Sequence, residues 1–509
     1  MQWLNKVVDE LIARHGDNEI IVSSGVSPSG PYHVGTLREV MTAEAVAREL
    51  RRRGKKAKHI HVSDDHDVFR KVPVTVPESY KQYLGRPLCE VPAPEGEGSY
   101  ADFYLKDLFT VSELLHANLE VMRANEKYRQ GYFAGAVETA IVEKEKVKSI
   151  LESISGHKVD GNWSPVQVIE DGYLKNRPIV SIDTDAKTLV FRDKDDQERT
   201  ISYANGEVKL NWRVDWPARW ALLGVNAEPF GRDHATKGGS YDTGAAIVKD
   251  IYDSEAPIPL PYAFINRTGY TKKMSKSDGD VVTAKDLLEV LPPEVVWYFM
   301  LRYPQDKQLF FDEGETLIRL IDQFSELLSQ TDKTDSDKQL LELCMQGIDS
   351  PTISRVPFSH LMTSYQAALK DKDKTLEIIG RTEYSHVVRE DGETIKAELK
   401  FIDKWLEKHA PEEVKFSLTK SVDPSNFDET QKKFMSALAD KIAEAPEDAD
   451  GGWFHLAIYE FKESMGLQPK DMFTTLYRAL IDKDSGPRAG WFLSLLPRDW
   501  LIKRLKLEA

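Results

Sequence analysis

The feature that most constrains the fold is a strand, a helix and a second strand at the start of the chain. Residues 19–24 are β-rich and end at Gly25. After a loop, apolar residues recur at helical spacing from Leu37 to Leu50, and Gly54 supplies a stop. A second β-rich run, His59 to Ser63, follows. This βαβ unit predicts a parallel sheet with ligands at the carboxyl ends of its strands.

The rest of the chain predicts further elements of three kinds. The pattern is helical from about 100 to 151 and changes to short alternating runs from about 163 to 212, which indicates a β insertion. The α/β character returns near Trp216. Residues 283–286 fit a capping box before the predicted helices 286–291 and 294–302. Beyond about 312, amphipathic helical stretches dominate.

Composition narrows the class of protein. The chain has 509 residues, of which 41% are hydrophobic and 30% charged, typical of a globular protein of several domains. No run approaches the roughly 18 apolar residues of a membrane span, and the first residues lack a signal-peptide pattern, so we expect a cytoplasmic protein without a membrane partner. Cys89 and Cys344 are too few for a disulfide framework, and we expect plain thiols.

The net charge of −15 argues against a protein coated in nucleic acid but permits a local basic face. The clearest concentration of cations lies between Arg48 and Lys58. It is either a solvated helix end or a contact with a polynucleotide.

Two loops have the residues of a phosphate site. The first spans Pro28 to Thr36 and precedes the predicted helix, whose free N–H groups suit an anion. His33 could donate to a phosphate oxygen, and Gly30 and Gly35 permit close approach of a nucleotide. The alternative is a tight turn with a surface histidine.

The second loop contains Lys272, Lys273 and Lys276 among small residues. Such ammonium groups can stabilise charge on a departing pyrophosphate. Alone, this loop is as easily a solvated basic turn, but the two loops together favour a site that activates a nucleotide.

A third cluster combines aromatic and charged residues. Three tryptophans at 212, 216 and 220 alternate with Arg213, Asp215 and Arg219. Each tryptophan alone is most simply explained as core, but charges beside aromatics are usually paired or face a ligand. An aromatic wall with a carboxylate is a suitable receptor for an alkylammonium group.

In this order, the motifs resemble the class I lysyl-tRNA synthetase family. The resemblance covers about 18 to 305 and, more weakly, 486–490. The matching segments are 24–35, 64–73, 212–217, 231–234, 238–244 and 273–277. The two loops specify only the class I superfamily, whereas the Trp-rich and Gly-Gly-Ser segments between them point to lysine.

The resemblance implies an enzyme that uses ATP to form lysyl-adenylate and then transfers lysine to tRNA(Lys). Its catalytic residues would be His33, Lys273 and Lys276. The ATP-binding residues would be Pro28, Gly30, His33, Gly35, Gly231, Asp233, Lys273, Met274, Ser275, Lys276 and Ser277. The lysine-binding residues would be Gly25, Ser27, Asp65, Trp212, His234 and Tyr262. Among them, Asp65 is chosen because the ε-ammonium needs a carboxylate and this one follows a central strand.

The resemblance also implies a fold and partners. We expect an α/β protein with a doubly wound Rossmann-type parallel-sheet catalytic domain, a small mixed insertion and an all-α C-terminal domain. The expected parts are the first catalytic half (1–90), the insertion (91–212), the second catalytic half (213–282), a helical junction contacting the tRNA stem (283–330) and a helical anticodon-binding domain (331–509). We expect a monomer with Mg²⁺ accompanying ATP.

The chain departs from the family pattern at two places. The first signature ends in Thr36, where the superfamily has His and this family often has Asn. We expect this difference to affect only the affinity for ATP, because binding at the helix terminus does not depend on it. The insertion lacks the cysteines of the zinc elements common in the family, so we expect no zinc. A glutamyl- or glutaminyl-type synthetase and a non-catalytic tRNA-binding paralogue remain as alternatives.

Overall fold

The computed structural model describes residues 1–160, 163–269, 282–447 and 449–508. The chain forms two compact units, each built from several segments. The first unit comprises Met1–Leu288, Val296–Phe311 and Thr334–Ile348, and the second comprises Glu289–Val295, Asp312–Lys333 and Asp349–Ala509.

The β-strands of the described residues all lie in the first unit. They are β1 Ile20–Val26, β2 Ala57–Ser63, β3 Leu119–Arg123, β4 Val166–Glu170, β5 Tyr173–Lys175, β6 Ile179–Asp183, β7 Thr188–Arg192, β8 Glu198–Ser202, β9 Val208–Leu210, β10 Ala227–Gly231, β11 Ile258–Tyr262, β12 Ile265–Arg267 and β13 Leu309–Phe311.

The α-helices follow the same chain order. They are α1 Gln2–His15, α2 Val34–Arg52, α3 Tyr100–Leu114, α4 Ala124–Arg129, α5 Ala134–Val142, α6 Lys144–Ser155, α7 Trp212–Leu223, α8 Ser240–Asp250, α9 Ala284–Val290, α10 Pro293–Leu301, α11 Glu315–Ser329, α12 Asp335–Met345, α13 Phe358–Ala367, α14 Lys372–Ile379, α15 Ser385–Lys408, α16 Glu429–Ala443, α17 Gly451–Met465, α18 Pro469–Ile481, α19 Ala489–Leu495 and α20 Arg498–Leu505. None of these described helices combines the length and apolar composition of a bilayer span.

The predicted parallel sheet is confirmed. Five strands lie in the order β11, β10, β1, β2, β3, and every neighbouring pair is parallel. This is the Rossmann order, in which the chain leaves β1 first toward β2 and β3 and later toward β10 and β11. The register pairs Val26 with Ser63 and Ser63 with Arg123, so these three strands end level with one another.

Helix α2 anchors the sheet and contains a correction to the sequence analysis. Its apolar residues are buried, and it ends before Gly54, whose φ of 75° is left-handed. Arg48 is fully buried and donates to the carbonyl oxygens of Leu115, His116 and Leu343. The cationic run therefore begins with a residue that holds carbonyl groups at the ends of other elements of its own unit. Neither a solvated end nor a polynucleotide contact explains Arg48.

The segment from 100 to 151 is not wholly helical as expected. Strand β3 lies within it and forms an edge of the parallel sheet. Its five residues alternate too weakly to be distinguished from the helices on both sides, and pairing with β2 determines their conformation. The β insertion is confirmed as two antiparallel three-stranded sheets, β5-β4-β9 and β6-β7-β8.

The second unit is helical in its described part. A buried apolar core joins α16 to α20, and includes Phe434, Leu438, Ile458, Leu476 and Phe492. This confirms an all-α C-terminal region. Helix α9 also begins close to its predicted start, where the Thr283 hydroxyl accepts from the Asp286 N–H at 3.0 Å.

Candidate active site

A cavity of about 600 Å³ opens at the carboxyl end of the parallel sheet. Gly25 of β1 and Gly231 of β10 both line it. The chain leaves these adjacent strands in opposite directions, and the crevice at such a switch point is where open α/β sheets bind ligands. Seven of the predicted ligand-binding residues line the cavity: Gly25, Ser27, Trp212, Gly231, Asp233, His234 and Tyr262.

One wall of the cavity is aromatic. The rings of Trp212 and Trp216 each lie 5.8 Å from the His234 ring, in edge-on arrangements. Trp216 also meets Phe230 edge-on at 5.4 Å. Because Trp212 and Trp216 are one helical turn apart on α7, both indoles reach the same side. Their electron-rich faces suit a cationic or aliphatic ligand.

The Glu39 carboxylate lines the cavity beside this wall, and the sequence analysis missed it. Its oxygens accept from the Gly25 N–H at 2.9 Å and the Tyr262 hydroxyl at 2.8 Å. In the described part of the chain, no cationic side chain pairs with it. Burial raises the pKa of the Glu39 carboxyl to about 8. The sequence spacing could have indicated Glu39, because it lies one helical turn after Gly35 on α2 and therefore on the same side of the helix as the signature loop.

A second carboxylate, Glu228 of β10, is held by the tryptophans. It accepts from the Trp216 indole N–H at 3.1 Å and from the Trp220 indole N–H. Burial raises the pKa of Glu228. The side chain therefore fixes the orientation of the aromatic wall.

A buried network of charges lies behind the cavity. Arg219 pairs with Asp215 and, at 2.6 Å, with Asp64. Lys209 lies 3.1 Å from Asp67, whose other oxygen accepts from the Ser27 hydroxyl at 2.7 Å. Each buried charge thus has an opposite partner, as burial in low dielectric requires. The network connects β2, β9 and α7 and holds Ser27 at the rim.

His33 is the N-cap of α2, as its position before the predicted helix suggested. Its Nδ1 accepts from the backbone N–H groups of Gly35 at 3.0 Å and Thr36 at 3.3 Å. In the neutral ring, the proton therefore lies on Nε2, which is then a donor. A Cβ at Gly35 would lie 2.9 Å from Cε1 of His33, so the glycine makes room for the ring.

The other signature residues take different positions. Pro28 and Gly30 are buried in the loop and, like His33 and Gly35, do not line the cavity itself. Lys272, Lys273, Met274, Ser275, Lys276 and Ser277 lie outside the described residues.

Asp65 does not face the cavity, contrary to the expectation that it binds an ammonium group. Its carboxylate is fully buried and accepts from Nε of Arg123 and the backbone N–H of Asn125, both at 2.8 Å. Residues 64–67 form a turn in which the Asp67 N–H donates to the Asp64 carbonyl oxygen at 3.2 Å, and in this turn Asp64 and Asp67 reach the cavity while Asp65 points toward β3 and α4. Asp65 instead ties the end of β2 to β3 and α4.

Among the described residues, no three His, Cys, Asp or Glu side chains are grouped to hold a metal ion. Of the two thiols, Cys344 is buried and Cys89 partly buried. Burial raises the pKa of Cys89 to about 12, so this thiol is unreactive at neutral pH.

The sheet order and the cavity define a nucleotide-binding α/β protein. Residues 1–346 match the family described as tRNA synthetases class I (K). The chain is 37% identical to lysine–tRNA ligase 1 of Methanosarcina acetivorans, over 99% of this chain and 98% of that protein. It is 35% identical to the lysine–tRNA ligase of Methanosarcina barkeri (99% and 97% covered) and 34% identical to that of Archaeoglobus fulgidus (99% and 99% covered). The chain therefore belongs to the class I (K) family of tRNA synthetases.

Proposed function

We propose that this chain is a lysine–tRNA ligase. It joins lysine to ATP, releasing pyrophosphate, and then transfers lysine to the 2′-hydroxyl of the terminal ribose of tRNA(Lys). The observation that carries the proposal is Glu39, a carboxylate without a cationic partner in the described chain, beside an aromatic wall at the switch point of the sheet. Membership of the family supports the same assignment.

Lysine would lie with its ε-ammonium at Glu39 and its aliphatic chain against Trp212. The ammonium would replace the proton that burial keeps on Glu39, so a charged pair forms only when lysine is bound. Gly25 and Ser27 at the end of β1, with Tyr262 and His234, would line the remainder of this pocket. Glutamine and glutamate supply no cation to replace the Glu39 proton, so they would gain no ion pair, and the negative charge of glutamate would also be repelled by ionised carboxylates nearby.

ATP would lie with its ribose at Gly231 and Asp233 and its phosphates toward the start of α2. There, the positive end of the α2 dipole would attract phosphate oxygens, while the N–H groups of Val34, Gly35 and Thr36 already have acceptors within the protein. The roles of Lys273 and Lys276 rest on the resemblance alone. Mg²⁺ would accompany ATP and reduce the negative charge that ATP brings into a cavity lined by several acidic side chains.

The chemistry then follows from placement. The lysine carboxylate attacks the α-phosphorus, the bond to the bridging oxygen breaks, and pyrophosphate leaves with that electron pair. The 2′-hydroxyl of the tRNA next attacks the adenylate carbonyl carbon, loses its proton and expels AMP. Cationic groups at the phosphates would act mainly by stabilising charge in the first step.

The finer assignments belong to the same proposal. The helical residues 331–509 would bind the anticodon, the protein would act as a monomer in the cytoplasm, and the domain boundaries 90, 212, 282 and 330 would separate its functional parts. Zinc would play no role.

Pyrophosphate exchange against the twenty amino acids, with and without tRNA, tests the proposal. We expect exchange with lysine only, and charging of tRNA(Lys) by labelled lysine. Glutamate- or glutamine-dependent exchange without a lysine signal would identify the alternative specificity. No exchange with any amino acid, together with tRNA binding, would identify a non-catalytic paralogue.

The assigned role of Lys276 has its own test. Lys276→Ala should bind lysine normally but form adenylate at least about 100-fold more slowly, since lost electrostatic stabilisation of a transition state has that size. Equilibrium binding of labelled lysine and single-turnover adenylate formation are the two measurements. Adenylate formation at the wild-type rate would remove Lys276 from the mechanism.

A further inference from the structure

The loop that follows β2 places two cations on the wall of the cavity. Arg70 and Lys71 line the cavity, and both are exposed. Throughout the described chain, neither side chain has an acidic partner within ion-pair distance. Their charged groups are therefore accessible to an anionic ligand in the cavity.

The backbone of this loop is held without help from the two cations. The Phe69 N–H donates to the Arg86 carbonyl oxygen at 2.7 Å, and its own carbonyl oxygen accepts from Gly85 at 2.9 Å. The Phe69 ring is buried, 5.0 Å from the Tyr100 ring. On the other side, the Pro73 carbonyl oxygen accepts from the Val76 N–H at 3.1 Å. Arg70 and Lys71 therefore project from a fixed support whose structure does not require them.

The cavity wall carries charges of both signs. Glu39 and Glu228 lie at the β1 and β10 side, whereas Asp64 and Asp67, which follow β2, are already paired with Arg219 and Lys209. Among the cavity-lining side chains that are described, Arg70 and Lys71 are the cations that remain available to a ligand. An anionic group is therefore expected at the β2 side of the cavity.

Two polyanions must reach this cavity if the proposed function holds, and this inference rests on that function. The assigned ribose site follows β10, whereas Arg70 and Lys71 follow β2, and β1 lies between these strands. Strands two places apart are about 10 Å apart. The nucleotide would thus occupy one side, and the second polyanion, the 3′ end of the tRNA, would enter from the other.

The neighbours of the loop favour the same assignment. The Leu174 N–H of β5 donates to the carbonyl oxygen of Gly85 at 2.9 Å, and the N–H of the same Gly85 donates to Phe69. The loop is therefore attached to the β insertion, a segment that the nucleotide-binding half of the sheet does not need. A surface formed by this insertion and the loop provides a path for an extended strand toward the cavity.

We propose that Arg70 and Lys71 bind the phosphodiester groups of the unpaired 3′ end of tRNA and guide its terminal ribose to the adenylate. Both would act as positioning residues for the transfer step. They would contribute little to activation of lysine.

The test is a comparison of Arg70→Ala/Lys71→Ala with wild type on two RNAs, intact tRNA(Lys) and the same tRNA without its unpaired 3′ nucleotides. We expect the double variant to bind intact tRNA roughly 10-fold more weakly, with a shallower salt dependence, since each phosphate contact adds to that slope. The two proteins should bind the truncated tRNA equally. Lys81→Ala, a change of an exposed lysine on the same loop that pairs with Glu78, is the matched control and should behave as wild type.

Other measurements distinguish the source of the phosphate. Calorimetric titration with Mg²⁺-ATP should give the same affinity for the double variant and wild type. Weaker ATP binding with unchanged tRNA binding would overturn the proposal in favour of a polyphosphate site. Unchanged binding of both would also overturn it, and so would an equal loss on intact and truncated tRNA. Failure of the wild-type protein to charge tRNA with lysine would instead contradict the proposed function.

Discussion

At the scale of single residues, a substitution of Gly25 distinguishes an effect on ligand binding from an effect on packing. A Cβ there would lie 3.6 Å or more from its nearest neighbours, so the fold tolerates alanine. The added methyl group would enter the proposed lysine pocket. We expect Gly25→Ala to change the free energy of unfolding by only about 0.5 kcal/mol, so that the melting temperature stays within a few degrees of wild type. The KM for lysine should rise tenfold or more.

Gly244→Ala is the matched control for Gly25→Ala. Its Cβ would lie 2.9 Å from the buried Trp220 ring, so this change should lower the melting temperature. If Gly25→Ala left the KM for lysine unchanged, the pocket would have to lie elsewhere.

Glu39 gives the enzyme a defined pH dependence. Its folded pKa of about 8 lies above the ordinary value of 4.5, so the free protein holds a proton there at neutral pH. In the proposed complex, the lysine ammonium pairs with the carboxylate and expels this proton. Affinity for lysine should therefore rise with pH, by up to about tenfold per unit below pH 8, and level off above it. The folded protein binds this proton more tightly than the unfolded chain does. The contribution of Glu39 to the free energy of unfolding is therefore largest below pH 4.5 and is lost as the pH rises toward 8.

Titration calorimetry in buffers of different ionisation enthalpy measures this proton release, and Glu39→Gln should abolish it. Asp64, whose pKa burial raises to about 7, also lines the cavity. A proton release that persists in Glu39→Gln would assign the titration to Asp64 instead.

The sequence predicted which residue types lie near the site, but it did not predict the direction in which their side chains point. The segment 64–67 offers three aspartates, and chemistry alone does not say which faces a ligand. The expectation was Asp65, but the turn after β2 directs its side chain toward Arg123. Glu39 was missed because an acid in an amphipathic helix usually faces solvent, whereas α2, which contains three glutamates, is buried over most of its length.

At the scale of elements, Asp65 holds the ends of β2, β3 and α4 together. Asp65→Asn would place an amide N–H group against Arg123 and leave a buried donor without a partner. We expect a loss of about 1–3 kcal/mol in free energy of unfolding, measured in denaturant, with the KM for lysine unchanged at temperatures where the variant is folded. Full stability with a raised KM would restore Asp65 as a lysine ligand.

Some helices and strands of this protein can be predicted from the sequence and others cannot. The first βαβ unit, the β insertion and the start of α9 were predictable, because apolar spacing and capping residues are local signals. Strand β3 was not, since five residues between helices form a strand only through pairing with β2. The same holds for Arg48, whose acceptors come from two segments distant in the chain, Leu115–His116 and Leu343.

At the scale of the whole molecule, charge leads us to expect that activity requires Mg²⁺. The chain has a net charge of −15 and several acidic side chains line the cavity, so we expect ATP without a divalent cation to bind weakly. We expect EDTA to abolish adenylate formation and Mg²⁺ alone to restore it fully after dialysis against the chelator. The insertion has an apolar core that includes Val168, Leu189 and Phe191, and we expect it to remain folded when zinc is removed. Recovery that needs added Zn²⁺, or a melting temperature lowered by the chelator, would contradict this expectation.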